Sequence, residues 1–218
     1  MAFEDRASVP ADDPLEQWRG EFGDAYTDRN SDETATREAA TIFDRILHAS
    51  GIRGDVRSIL EVGANVGINL IGLRRALGQD IILAAVEPNP RACARLCGPP
   101  LNLRVAVEAT AHHLPFRDRT WDLVFTSGVL IHVRPEELGM AMREIVRVAG
   151  RYVLCSEYFA DTLTEAPYRC RTGMMWKRDF GRAYLEHCQG LEVQQYGFLW
   201  QKEFPHFDNL NWWMFLKR

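Results

Sequence analysis

No stretch of this 218-residue chain approaches the roughly 18 consecutive apolar residues that mark a membrane-spanning helix. The opening segment, Met1 to Pro14, is acidic and lacks the apolar core of a secretory signal, so a cytoplasmic location is expected. A basic surplus is missing too: 26 Lys and Arg stand against 30 Asp and Glu, a formal net charge of −4. Nucleic-acid binders carry a basic excess or stripe, so nucleic acid is not an expected partner. Arg143, Arg147 and Arg151 do cluster, but at helical spacing, as a solvated face would. The five cysteines are an odd number. Cys93 and Cys97 lie four apart with no second pair at zinc-ligand spacing, so no metal is expected, and free thiols fit better than a disulfide frame. Repeats and low-complexity linkers are absent. What remains is ordinary globular composition, 46% hydrophobic and 26% charged, in a chain long enough for one decorated core.

The first dozen residues are polar and are expected to lack fixed structure. Leu15, Trp18, Phe22 and Tyr26 recur at spacings of three and four, which predicts one amphipathic helix weakened by Gly20 and Gly23. A second helix follows, with Asp32 or Thr34 as cap, an apolar face of Ala39, Ile42, Phe43, Ile46 and Leu47, and a stop at Ser50-Gly51. Strands are then predicted over 58–62, 81–86, 103–107, 121–126 and 152–156. Helices over 66–77, 91–97 and 136–148 alternate with them. Such alternation implies parallel pairing with right-handed crossovers. After a helix over 177–188, strand-like runs at 191–200 and 211–217 pair as a hairpin and add an antiparallel edge. The expected fold is a Rossmann-like three-layer α/β sandwich with a mostly parallel seven-stranded sheet and an antiparallel edge strand at the C-terminus. Residues 1–50 would form a helical extension or lid and 51–218 the main domain.

Three features fall in order on the right elements. Glu61-Val62-Gly63-Ala64-Asn65-Val66-Gly67 joins the first strand to its helix, where small residues admit a ligand close to the backbone and the helix start offers free amides. The full three-glycine dinucleotide pattern is not there, since Asn65 and Asn69 replace glycines. Glu87 ends the second strand, where a carboxylate can accept bonds from ribose hydroxyls. Trp121 to Thr126 then leads through Ser127 and Gly128 to His132.

These residues, with Leu114-Pro115-Phe116, resemble the signature of class I S-adenosylmethionine-dependent methyltransferases. The resemblance implies that Glu61, Gly63, Ala64, Asn65 and Gly67 hold the methionine part of S-adenosylmethionine. It gives Glu87 the ribose and the loop of Thr110 and Ala111 the adenine, with Pro88 and Ser127 as further cofactor contacts. The family usually has Asp where Thr110 stands. Trp18-Arg19-Gly20-Glu21-Phe22-Gly23-Asp24-Ala25-Tyr26, Glu157-Tyr158-Phe159, Pro167-Tyr168-Arg169, Trp176-Lys177-Arg178-Asp179-Phe180 and Asn211-Trp212-Trp213 resemble methylases associated with pseudaminic acid biosynthesis. That narrower resemblance implies a small-molecule acceptor, sugar-like or amino-acid-like.

His132 is the expected general base, because it follows the fourth strand's carboxyl end, where open α/β sheets bind ligands. Glu157 and Tyr158 are expected on the same rim as catalytic groups. Tyr26 and Arg29 are read as cofactor contacts from a lid. Asn30, Tyr168, Arg169 and Lys177 are read as acceptor contacts, the basic ones suiting a carboxylate or phosphate. Trp200, Phe204, His206, Phe207, Trp212 and Trp213 are read chiefly as core or dimer contact. Monomer and homodimer both fit. Rival readings are a cyclase or aminocarboxypropyl transferase on the same fold, a protein that only binds the cofactor, and a nicotinamide dehydrogenase.

Overall fold

A computed structural model describes residues 9–10, 13–30 and 33–218. Its centre is a seven-stranded sheet. The strands are β1 (Ser58–Val62), β2 (Ile82–Glu87), β3 (Val105–Glu108), β4 (Trp121–Ser127), β5 (Ala149–Glu157), β6 (Leu191–Leu199) and β7 (Leu210–Lys217). Across the sheet they run β6-β7-β5-β4-β1-β2-β3. The five strands from β3 to β5 pair in parallel, while β7 runs antiparallel to both β5 and β6. The fold is thus the expected mostly parallel α/β sheet, closed on one side by a C-terminal antiparallel hairpin. β7 lies one place in from that edge and β6 forms the edge itself.

The helices are α1 (Pro14–Arg19), α2 (Glu21–Arg29), α3 (Glu33–Ala49), α4 (Ile68–Leu77), α5 (Pro90–Arg95), α6 (Leu138–Val148) and α7 (Phe180–His187). Alternate strand residues feed two cores. Leu60, Val62, Val124 and Val153 meet Met142 and Ile145 of α6 and Phe180 and Tyr184 of α7. Ile59, Leu83, Leu123 and Leu154 meet Ile42, Phe43 and Ile46 of α3 and Leu70 and Leu73 of α4. That alternation is the period-two signature of strands covered on both faces. The predicted face of α3 is buried as expected, which makes this helix part of a core layer.

Three local expectations change. The predicted single helix near the N-terminus is two, because Gly20 adopts an extended conformation (φ −96°, ψ −155°) that ends α1 and starts α2. α1 begins where Asp13 accepts from Leu15 N at 3.0 Å with Pro14 in the first turn. Val9–Pro10, expected to be without structure, pairs in parallel with Arg171–Thr172. α3 starts at Glu33, which puts Thr34 inside the helix, and Asp32 lies outside the described residues.

α3 and α4 cross with little room between them. A Cβ built on Gly72 falls 2.5 Å from Ala39 Cβ and 2.7 Å from Ala40 N. Gly72→Ala should therefore destabilise the protein, since overpacking costs about 1–3 kcal/mol against a helix-propensity gain of at most about 1 kcal/mol. Urea unfolding checks this, and a midpoint at or above that of the parent would contradict the crossing.

Candidate active site

At the carboxyl ends of the parallel strands lies a cavity of about 290 Å³, at the small end of ligand pockets. The β1–α4 turn forms its floor. Gly63 and Ala64 N–H both donate to Val86 O (2.7 and 3.1 Å). Gly63, Asn65 and Gly67 have φ of +80°, +47° and +80°, a region that favours glycine and tolerates Asn. A Cβ on Gly63 would meet Val129 Cγ2 at 2.5 Å. Gly67, expected at the cofactor, does not reach the wall. It faces Leu96 and Leu101 instead, and its part is to turn the backbone into α4.

Two carboxyl groups stand on this floor. Glu87 is buried; its Oε2 accepts from Asn65 N at 2.7 Å and its Oε1 from Asn89 N at 2.9 Å. Burial raises its pKa, and the two amides pull it back. Glu61 is fully buried, and its Oε1 accepts from Asn69 Nδ2 at 2.7 Å. Its Oε2 has no partner among the described residues. Burial lifts its pKa well above the carboxylate range. A buried carboxyl oxygen without a partner costs stability unless something arrives to satisfy it. Pro88, Thr110, Ala111 and Ser127 complete this end of the wall.

The rim turn Leu130–His132 rests on Glu157. That carboxyl accepts from Val129 and Leu130 N–H (3.2 and 3.1 Å) and more distantly from Ile131 N–H (3.4 Å). Glu157 was expected to face the acceptor. It is instead fully buried beneath the turn and off the cavity wall, because three backbone donors claim it there. Burial raises its pKa to about 7. His132 above it lines the cavity, with its ring against Trp18 (4.7 Å) and Tyr168 (4.8 Å). Its Nδ1 lies 2.6 Å from Met174 O. A carbonyl only accepts, so Nδ1 carries the proton and Nε2 keeps its lone pair. Burial lowers the pKa to about 4.

Tyr158 also lines the cavity, but its hydroxyl donates to Asp208. Burial and that bond push its ionisation far above the ordinary tyrosine range, so it is no base. The cover consists of Trp18 from α1, Tyr26 from α2 and Asn30 just beyond it, with Tyr168 from the segment after β5. Asn89 Nδ2 fastens it, donating to Trp18 O (3.0 Å) and Asp24 Oδ1 (2.9 Å). Asp28 receives Arg91 and Arg95. Asn65 Nδ2 donates to Thr27 Oγ1 at 3.1 Å.

Arg29, Arg169 and Lys177 were expected to touch ligands, and all three stay off the wall. Each lies over an aromatic ring: Arg29 over Tyr26 (5.9 Å), Arg169 over Tyr26 (5.7 Å) and Tyr168 (5.6 Å), Lys177 over Tyr158 (5.0 Å). Cation–π contact places them behind the lining side chains. Sequence reasoning missed Asp208 and Asn69 and read Phe207 and His206 as core or dimer contact, whereas all four line the cavity. The only signal for the loop residues was the ten-residue connection before β7, longer than a hairpin needs.

A family model described as a methyltransferase domain matches residues 60–152. Solved structures share the fold at low identity. Magnesium protoporphyrin IX methyltransferase from Synechocystis, solved with bound S-adenosylmethionine, has a TM-score of 0.66 at 16% identity, covering 95% of this chain and 99% of its own. The 1,6-didemethyltoxoflavin-N1-methyltransferase of Burkholderia thailandensis, solved with its toxoflavin ligand and S-adenosylhomocysteine, gives 0.66 at 18% identity, covering 100% and 97%. The [4+2]-cyclase SpnF gives 0.58 at 16%, covering 82% and 80%. A direct sequence comparison with curated proteins returns no match. The chain therefore has the class I methyltransferase fold, with a methyltransferase-domain match over its central strands. Among the described residues no helix is long and apolar enough to cross a membrane.

The buried His132 and Glu157 make opposite contributions to stability. Folded His132 resists protonation down to about 4 against 6.5 when unfolded, so its contribution is full above 6.5 and is lost as pH falls. Folded Glu157 resists ionisation up to about 7 against 4.5, so its contribution is full below 4.5 and is lost as pH rises. Glu157→Gln removes the second and leaves the first. Its Tm, relative to that of the parent, should climb between pH 4.5 and about 7; a parallel pair of Tm curves would contradict the assignment.

Proposed function

We propose that this protein is an S-adenosylmethionine-dependent methyltransferase acting on a small-molecule acceptor. The observation that carries this reading is the pair of buried carboxyl groups flanking the glycine turn. Glu61 has an oxygen awaiting a donor, and Glu87 retains free lone pairs beside its two amide bonds. An ammonium group at Glu61 and ribose hydroxyls at Glu87 would satisfy them. Thr110, Ala111 and Ser127 would take the adenine side. These donors and acceptors fit the cofactor, which when bound supplies an electrophilic sulfonium methyl group.

The chain's own task is alignment and exclusion of water. Trp18, Tyr26 and Asn30 close over the cavity as a cover, with α1 and α2 acting as the lid. His132 Nε2 takes the acceptor's proton; its neutrality across the physiological range leaves that lone pair available. Met174 O holds the tautomer, and Glu157 holds the turn that carries the ring. Both are positioning groups. The stretches that resemble pseudaminic acid-associated methylases support a sugar-like or amino-acid-like acceptor. A second reading, a cyclase or aminocarboxypropyl transferase, is kept because a cyclase shares the fold.

Product analysis separates the readings: S-adenosylhomocysteine marks methyl transfer, methylthioadenosine marks aminocarboxypropyl transfer, and a cyclisation that takes no group from the cofactor releases neither. Glu87→Ala should weaken S-adenosylhomocysteine binding by about 1–3 kcal/mol, the loss of a charge-assisted bond; unchanged affinity by calorimetry removes Glu87 from the site. His132→Gln should lower kcat by about 10²–10⁴-fold with that affinity kept. A kcat within the parent's range would discard the base.

A further inference from the structure

The loop between β6 and β7 is fixed to α3, which gives Asp208 a defined place. Glu38 accepts from His206 N–H (3.0 Å) and pairs with the His206 ring (2.8 Å). Arg45 bonds Glu203 at 2.6 Å and lies over the ring of the buried Phe204. Thus anchored, the loop sets Phe207 and Asp208 into the cavity wall beside Tyr158.

Among the carboxylates on that wall, Asp208 is set apart by its partners. Glu61 and Glu87 belong to the glycine turn. Asp13 and Glu137 share Arg134, and Glu137 also approaches His112. Asp208 receives the Tyr158 hydroxyl on Oδ2, and no cation among the described residues lies within ion-pair distance. Asp208 is exposed, and its Oδ1 accepts no hydrogen bond from them. The other side of the balance is positive: Arg29, Arg169 and Lys177 stand behind the Tyr26, Tyr168 and Tyr158 rings.

We propose that Asp208 is a specificity-determining residue, whose free oxygen receives a hydroxyl of a neutral acceptor while aromatic rings flank it. This rests on the methyltransferase reading for what the molecule is an acceptor of. An acid placed there meets the Asp208 carboxylate. An ammonium approaches rings that Arg29, Arg169 and Lys177 already back, and those three positive charges oppose a fourth. A neutral hydroxyl meets neither obstacle, and a carboxylate oxygen is its strong partner. This reverses the expectation that the basic residues after β5 select an anion: they are spent on the rings.

The test is a ligand-observed NMR screen of three matched fragment sets (neutral alcohols, primary amines and carboxylic acids) on the protein saturated with S-adenosylhomocysteine. Alcohols should dominate the hits. Asp208→Asn, whose amide oxygen still accepts from Tyr158, should weaken the alcohol hits by about 10- to 100-fold and admit acids. Tyr158→Phe, which frees the second carboxylate oxygen, should keep the alcohol preference. Dominance of acids or amines, an absence of hits from every set, or an unchanged profile in Asp208→Asn overturns the proposal. Failure of S-adenosylhomocysteine to bind by calorimetry strikes the methyltransferase reading instead, and the screen then reads the same way on the free protein.

Discussion

The bond from Asn65 N–H to the Glu87 carboxylate is the constraint on which the cavity depends. It ties the tip of β2 to a turn leaving β1, across two strands that the sheet already holds in register from Ser58↔Ile82 to Val62↔Val86. The other Glu87 oxygen takes Asn89 N–H. Asn89 in turn caps α5 through Ala92 N and holds the cover through Trp18 O. One buried carboxyl group thus orders the floor, the next helix and the segment that covers the cavity. Its own burial is tolerable because backbone amides meet both oxygens.

Much of this was legible in the sequence because it follows from periodicity and punctuation. Runs such as Ile59-Leu60 and Leu83 to Val86 are apolar on both parities because both sheet faces are covered. Gly63 and Gly78 mark strand and helix ends through backbone conformation, which no packing context overrides. Glu87 was legible because its place is defined by the strand that carries it.

What was not legible depends on where side chains turn. Glu157 and Tyr158 are neighbours leaving β5, and strand alternation sends one beneath the rim turn and the other to the cavity. Neither destination is written in the residue type. Lys177 and Arg169 read as anion contacts because composition cannot reveal that a ring lies under each cation. Asp208 was hidden because it reaches the site through a loop whose position is set by α3, some 170 residues earlier in a chain of 218.

The parallel pairing of Val9–Pro10 with Arg171–Thr172 has a wider meaning for the molecule's motion. Arg171 also bonds Gln17 and sits over the Phe22 ring, so the segment ahead of the sheet and the excursion after β5 are laced together above the cavity. His132 is tethered to that same excursion at Met174. Displacing either segment breaks contacts that hold the other. Displacing the second also moves the carbonyl on which the imidazole's orientation depends.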